Sequence, residues 1–112
     1  MRIQVKGRSG VPVDDELRTR VDKKLDKVAR QVSVLAELEL ELSEERNPAI
    51  RDSQLAEATL HLKGVTLRAR EASADLMHSV DLCADKLARQ VKRHREKRRN
   101  RRSRVEAADA TT

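Results

Sequence analysis

Lys86, Arg89, Lys92 and Arg93 are the residues whose type and spacing point most directly to a chemistry, that of pairing with phosphate. On a helix at roughly 100° per residue, counted from Leu76, they fall between roughly 160° and 280°, while Leu76, Val80, Cys83, Leu87 and Val91 occupy roughly 340° to 60°. One helix, from Ser73 to about Arg102, is therefore predicted to carry an apolar stripe and a basic stripe on opposite sides. The charge of the whole chain follows the same division. Its 112 residues hold 25 Lys+Arg against 19 Asp+Glu, a net of +6. Residues 1–85 contain 14 basic and 16 acidic residues, whereas residues 86–112 contain 11 and 3, so all of the positive excess belongs to the C-terminal quarter. Such a concentration, which Lys97 continues, is the footprint of a polyanion binder, and nucleic acid is the commonest polyanion. The simpler alternative is a solvated helix end, since helix C-termini favour Lys and Arg.

Other groups that could do chemistry make weaker cases. Glu37, Glu39 and Glu41 alternate with Leu38, Leu40 and Leu42, which places the carboxylates on the wet face of a strand without a pocket. His61, His78 and His94 lack metal-ligand spacing, and no Ser-His-Asp or Cys-His grouping is suggested. The three glycines form no phosphate loop. Cys83 lies on the apolar stripe, where a small buried hydrophobe is its usual role. The sequence thus reads as a non-enzymatic chain without metal or cofactor.

Composition narrows the way nucleic acid could be held. There is no Phe, Tyr or Trp, so stacking of bases on aromatic side chains is excluded and recognition must go through backbone and shape. The same composition demands a small aliphatic core, in a single domain burying about 65% of its unfolded surface. MRIQVKG at the N-terminus has no apolar run fit for a signal peptide, and no transmembrane-length apolar stretch follows. A soluble cytoplasmic protein with no membrane partner is expected.

The elements that must position the basic residues follow in order. Ile3 and Val5 alternate with Arg2, Gln4 and Lys6, the period of a strand over residues 2–8. Gly7, Gly10 and Pro12 mark a loop. Asp14, as a cap, with Asp15 and Glu16 behind it, then starts a helix over residues 14–32, whose stripe is Leu17, Val21, Leu25, Val28 and Val32. Arg20, Lys23, Lys27 and Arg30 cluster on its opposite side, and Arg18 and Lys24 flank the stripe. Taken alone, that cluster is a solvated face paired with Asp22 and Asp26. Residues 34–45 read as a strand, and residues 54–62 and 65–70 as a hairpin around Lys63-Gly64. Ser73 is predicted to cap the last helix, with Asp75 in its first turn. Beyond Arg104, VEAADATT lacks periodicity and reads as a tail.

The predicted fold class is α+β, in the order β-α-β-β-β-α: a four-stranded mixed sheet with two roughly parallel helices on one face, like a double-stranded-RNA-binding domain. Its first strand–helix–strand unit should be a parallel, right-handed crossover, with the later strands antiparallel. The helices would then join their outer basic residues into one surface, while the far side of the sheet would be acidic. The domain spans residues 1–98, and residues 99–112 form a basic, then polar tail.

This order of elements, together with ATLHLKGVTLRAREASADLMHSVDLCADKLARQVKRHREK from Ala58 to Lys97, closely resembles the ribosome hibernation promoting factor and ribosome-associated inhibitor family of bacteria. Glu57-Ala58-Thr59, Asp75-Leu76-Met77, Val80-Asp81 and Asp85-Lys86-Leu87-Ala88-Arg89-Gln90 occupy the places of that family's motifs. Met77 stands where the family usually has Tyr, so any polar contact of that hydroxyl is missing. The resemblance covers about residues 2–98 and is more specific in the last helix than in the first. It implies a domain that docks in the cleft of the small ribosomal subunit between head and body, over the messenger and the A-site and P-site tRNA positions. Translation then stops and idle ribosomes are preserved. It also implies ribosomal RNA contacts at Arg18, Lys24 and Lys27 on the first helix and Lys86, Arg89 and Arg93 on the second. Longer members continue through a linker into a second domain that dimerises ribosomes, and VEAADATT is a candidate start of such a linker. Two other readings compete: a general module for structured RNA, and an interaction module that pairs through an open sheet edge.

Overall fold

The computed structural model describes the backbone of residues 1–110 and the side chains of residues 1–101. Six elements follow one another: β1 (Arg2–Gly7), α1 (Asp15–Ala29), β2 (Glu37–Glu44), β3 (Gln54–Leu62), β4 (Val65–Ser73) and α2 (Leu76–Ala110). The predicted order holds, and the strands form one mixed sheet in the order β1-β2-β3-β4. β1 pairs parallel with β2, which the α1 crossover requires, and both later pairings are antiparallel. The β3–β4 hairpin turns on Lys63 and Gly64, and Gly64 at φ +80° supplies the left-handed residue that so short a turn needs. Gly7 ends β1 for a different reason. A Cβ there would come within 2.2 Å of the Val11 carbonyl oxygen, so only glycine lets the following loop fold back this closely.

One face of the sheet carries the core. Period two puts Leu38, Leu40 and Leu42 of β2 beside Ala56, Ala58 and Leu60 of β3, with Ala69 of β4, and all are buried. Val21, Leu25 and Val28 of α1 and Val80, Cys83, Leu87 and Val91 of α2 close over them. The small residues on β3 and β4 lie where α2 approaches: the Cys83 thiol donates to the Ala56 carbonyl at 3.2 Å and sits 3.7 Å from that of Ala69. Bulkier side chains at those strand positions would hold the helix off the sheet. Burial pushes the Cys83 thiol up to about 11, which keeps it protonated and unreactive at neutral pH.

Element ends differ from the sequence prediction where tertiary partners decide them. α1 stops at Ala29 rather than residue 32. β2 starts at Glu37 rather than residue 34, because its pairing begins where β1 begins: Arg2 is the partner of Glu37, and the Arg2 amide donates to the Ala36 carbonyl at 2.8 Å. Val34 and Leu35 are left 85% and 86% exposed in the preceding turn. β4 runs three residues beyond the predicted hairpin, to Ser73. Ser73 is therefore not the cap of α2. Its hydroxyl is buried at 2.7 Å from that of Ser79, which in turn donates to the Gln54 carbonyl at 2.6 Å. The cap is Asp75, whose carboxylate accepts from the His78 amide at 2.9 Å. Asp14 caps α1 as predicted, accepting from the Leu17 amide at 2.8 Å.

The far face of the sheet also differs from expectation, being striped rather than acidic. Glu37, Glu39 and Glu41 on β2 and Glu57 on β3 occupy the middle, while Arg2 and Lys6 on β1 and Arg68 and Arg70 on β4 flank them. Arg70 pairs with Glu57 at 3.2 Å, His61 lies 3.7 Å from Glu39, and Arg8 pairs with Glu41 across the sheet edge. The glutamates alternate as predicted, but the neighbouring strands bring cations to them. The expected tail, residues 99–112, is helical as far as Ala110; its last two residues lie outside the described backbone, and side chains from residue 102 on lie outside the described side chains.

Candidate nucleic-acid interface

The two helices run side by side in the same direction. Lys27 of α1 meets Asp81 and Asp85 of α2, and four residues further, just past the end of α1, Gln31 accepts from Arg95 at 3.1 Å. This parallel arrangement follows from the crossover: β1 and β2 are parallel, so α1 runs against them, and α2 returns from the end of β4 in the same sense. Their outer surfaces thus form one face opposite the sheet. On it Lys23 and Arg30 of α1 and Arg89, Lys92 and Arg93 of α2 are all exposed. Arg20 shares the side of α1 that carries Lys24 and Lys27, four and seven residues on, and Lys86 lies at the β4 side of the face, 3.8 Å from Glu71. Lys97 is exposed one turn beyond Arg93.

Two of the predicted contact residues are placed otherwise. Arg18 lies on the opposite flank of α1 from α2, bordering an open groove along β1 with Asp22, and so does not join the helix-pair cluster. Lys27 is held between the helices. Its ammonium donates to Asp81 at 3.1 Å and Asp85 at 2.6 Å, and Lys24 stands 3.9 Å from the same Asp81 carboxylate. Arg30 pairs with Asp26 on its own helix at 2.6 Å, the solvated pairing that the α1 sequence suggests. Free cations on this face are therefore concentrated on α2, with Arg20 and Lys23 adding to them from α1.

The pairing at Lys27 shows in the ionisation of its members. The hydrogen bond to Asp85, above all, holds the Lys27 ammonium above the usual lysine range against a smaller desolvation effect. The hydrogen bond from Lys27 holds Asp81 below the usual carboxylate range. Asp81 thus contributes stability above the ordinary carboxylate range that is lost as pH falls through its lowered pKa. Lys27 contributes stability below the ordinary lysine range that is lost as pH rises through its raised one. Because these groups are between a third and a half exposed, the clamp is worth about 1 kcal/mol or less. A Lys27→Met chain is expected to melt slightly below the parent by an amount that stays constant between about pH 5 and about pH 9 and shrinks in stronger acid. Thermal denaturation followed by far-UV circular dichroism at several pH values checks this, and a gap that grows in acid contradicts it.

Sequence reasoning took Asp81 and Asp85 for motif residues and not for the partners of Lys27. Their i, i+4 spacing was the available signal, since it puts both on one side of α2, but which helix face they meet is a tertiary fact. Among the described residues no group of His, Cys, Asp and Glu is arranged to hold a metal ion, and no helix is long and apolar enough to cross a membrane.

Residues 3–99 match the family described as Sigma 54 modulation protein / S30EA ribosomal protein. The ribosome hibernation promotion factor of Picosynechococcus sp. is 33% identical over 98 residues, which cover 87% of this chain and 50% of that protein. The ribosome hibernation promoting factor of Azotobacter vinelandii is 30% identical over 110 residues, covering 98% and 97%. The chain therefore spans half of the first relative and nearly all of the second. In three dimensions it superposes on the N-terminal domain of Thermus thermophilus Protein Y with a TM-score of 0.72 at 30% identity, covering 84% of this chain and 99% of that one. A ribosomal subunit interface protein of Coxiella burnetii gives 0.70 at 25% identity, covering 86% and 99%. With its fold and nearly its whole domain matched, the chain belongs to the Sigma 54 modulation protein / S30EA ribosomal protein family, among whose members are the ribosome hibernation promoting factors.

Proposed function

We propose that this chain is a ribosome hibernation factor of the cytoplasm that seats its helix pair in the cleft of the small ribosomal subunit between head and body. There it covers the messenger and the A-site and P-site tRNA positions, halting translation and preserving idle ribosomes. The observation that carries this reading is the parallel helix pair itself, whose outer face gathers Arg89, Lys92 and Arg93 with Lys23 opposite the sheet. The names of its relatives support the ribosome hibernation part of this reading. No bond needs to be made or broken. A rigid wedge held by ion pairs to ribosomal RNA excludes tRNA by volume, and each phosphate neutralised releases condensed counterions. Lys27 is then engaged chiefly within the protein, and the α1 contribution comes from Arg20 and Lys23, with Lys24 more loosely held at 3.9 Å from Asp81. Where a member of the family carries a further domain after the helix, residues 99–112 are the place from which a linker would leave.

Sedimentation of the purified chain with vacant ribosomes, separated subunits and a long RNA duplex at two salt concentrations tests the proposal. Selective co-sedimentation with the small subunit, lost when tRNA is bound beforehand, is the expected result. Equal pelleting with duplex RNA and both subunits would instead leave a general module for structured RNA.

A further inference from the structure

α2 outlasts the domain it helps to build. Among its described side chains Val91 is the last buried one, yet the helix continues to Ala110, and the molecule is 65 Å long against 29 and 18 Å in the other directions. At about 1.5 Å per residue, the stretch from Val91 to Arg101 alone extends about 15 Å. From Arg95 to Arg101 every side chain is exposed, five of the seven are Lys or Arg, and Glu96 is the only acid. Arg95 is tied back to Gln31 at the end of α1, which fixes the direction in which the arm leaves the body.

The arm carries the basic face onward through Lys97 but adds cations on the other side of the helix as well. On the helical wheel Arg95 and Arg99 fall at roughly 100° to 140° and Lys97 and Arg101 at roughly 300° to 340°, with Arg98 between them at roughly 40°. The cations therefore point to opposite sides. There is no apolar residue from Lys92 to Arg104, so the arm has nothing to bury against a protein groove and no face to lay into a bilayer. Like charges three and four residues apart also repel one another along it, a cost that a polyanion relieves. A nucleic-acid backbone lying on one side would leave about half of these cations unpaired.

The geometry points to an arm that enters a crevice in RNA walled by phosphates on both sides. This rests on the proposed function, with the arm reaching beyond the footprint of the helix pair. The test compares two charge-neutral pairs that keep helix propensity, R95Q/R99Q and K97Q/R101Q, with the parent chain, measuring affinity for purified small ribosomal subunits across a salt series. Each pair is expected to lower the slope of log affinity against log salt by about 1.5 to 2, the loss of two phosphate contacts. A change from one pair alone means that the arm lies on a single backbone and overturns the crevice. No change from either means that the arm does not touch RNA. Failure of the parent chain to bind small subunits rejects the proposed function separately, and the same comparison on an RNA duplex with a widened major groove then decides the arm by the same criteria. Far-UV circular dichroism confirms that both variants keep the parent helix content.

Discussion

Replacing Lys86, Arg89 and Arg93 together by alanine is expected to abolish ribosome association at physiological salt while leaving the fold intact. Arg89 and Arg93 are exposed on the outer face of α2, and Lys86 meets only the partly exposed Glu71, so none of the three supports the core. Alanine preserves helix propensity at each position. What is lost is phosphate contact: three contacts lower the log–log salt slope by about 2 to 3, out of a total of roughly 4 to 5 for a face engaging about six phosphates. The deficit relative to the parent is therefore largest at low salt and narrows as salt rises, although the variant's own binding also strengthens as salt is lowered. Co-sedimentation with small subunits over a salt series measures it, alongside a melting curve superimposable on that of the parent. Tight binding by the triple variant at physiological salt would move the interface off α2.

Leu40→Ala is expected to be the most damaging single truncation among the sheet positions, costing about 3 kcal/mol. Leu40 is 1% exposed in the middle of β2, and its cross-strand neighbours are Val5 on one side and Ala58 on the other. Ala58 is followed in the same row by Ala69, so no large side chain stands ready on that side to fill the space. The loss combines lost transfer energy with an unfilled cavity, in a domain whose whole stability is of the order of 5–15 kcal/mol. Glu39→Ala, one residue away on the far face, is expected to change stability by less than about 0.5 kcal/mol. Urea denaturation followed by circular dichroism distinguishes the two, and equal effects would contradict the face assignment. Fluorescence cannot replace it, because the chain has no tryptophan or tyrosine.

The comparison of sequence with structure divides along one physical line. What depends on period was legible: Leu38, Leu40 and Leu42 announced β2, the stripe from Leu17 to Val32 announced α1, and Lys63-Gly64 announced the hairpin. What depends on the neighbour was not. β2 could be shortened at Val34 and Leu35 only by knowing where β1 begins, and Ser73 could be moved from helix cap to buried hydroxyl only by knowing that Ser79 and the Gln54 carbonyl lie beside it. The interface shows the same limit. A wheel drawn for α1 alone counts Lys27 among solvated cations, because the carboxylates that hold it belong to another helix more than fifty residues away. Arg89 and Arg93 needed no such knowledge, since a basic stripe diametrically opposite an apolar one is exposed wherever the helix packs.

The stripes on the far face of the sheet bear on how copies of this chain meet in solution. Across the strands the signs run positive, negative, negative, positive, a sequence that reads the same in both directions. Two copies stacked back to back about a two-fold axis, with strands aligned and faces fully overlapped, would set arginine against arginine and glutamate against glutamate whether the axis runs along the strands or across them. A palindromic order of charge thus resists the symmetric dimer that an exposed sheet face otherwise invites, and leaves each copy to present its helices singly.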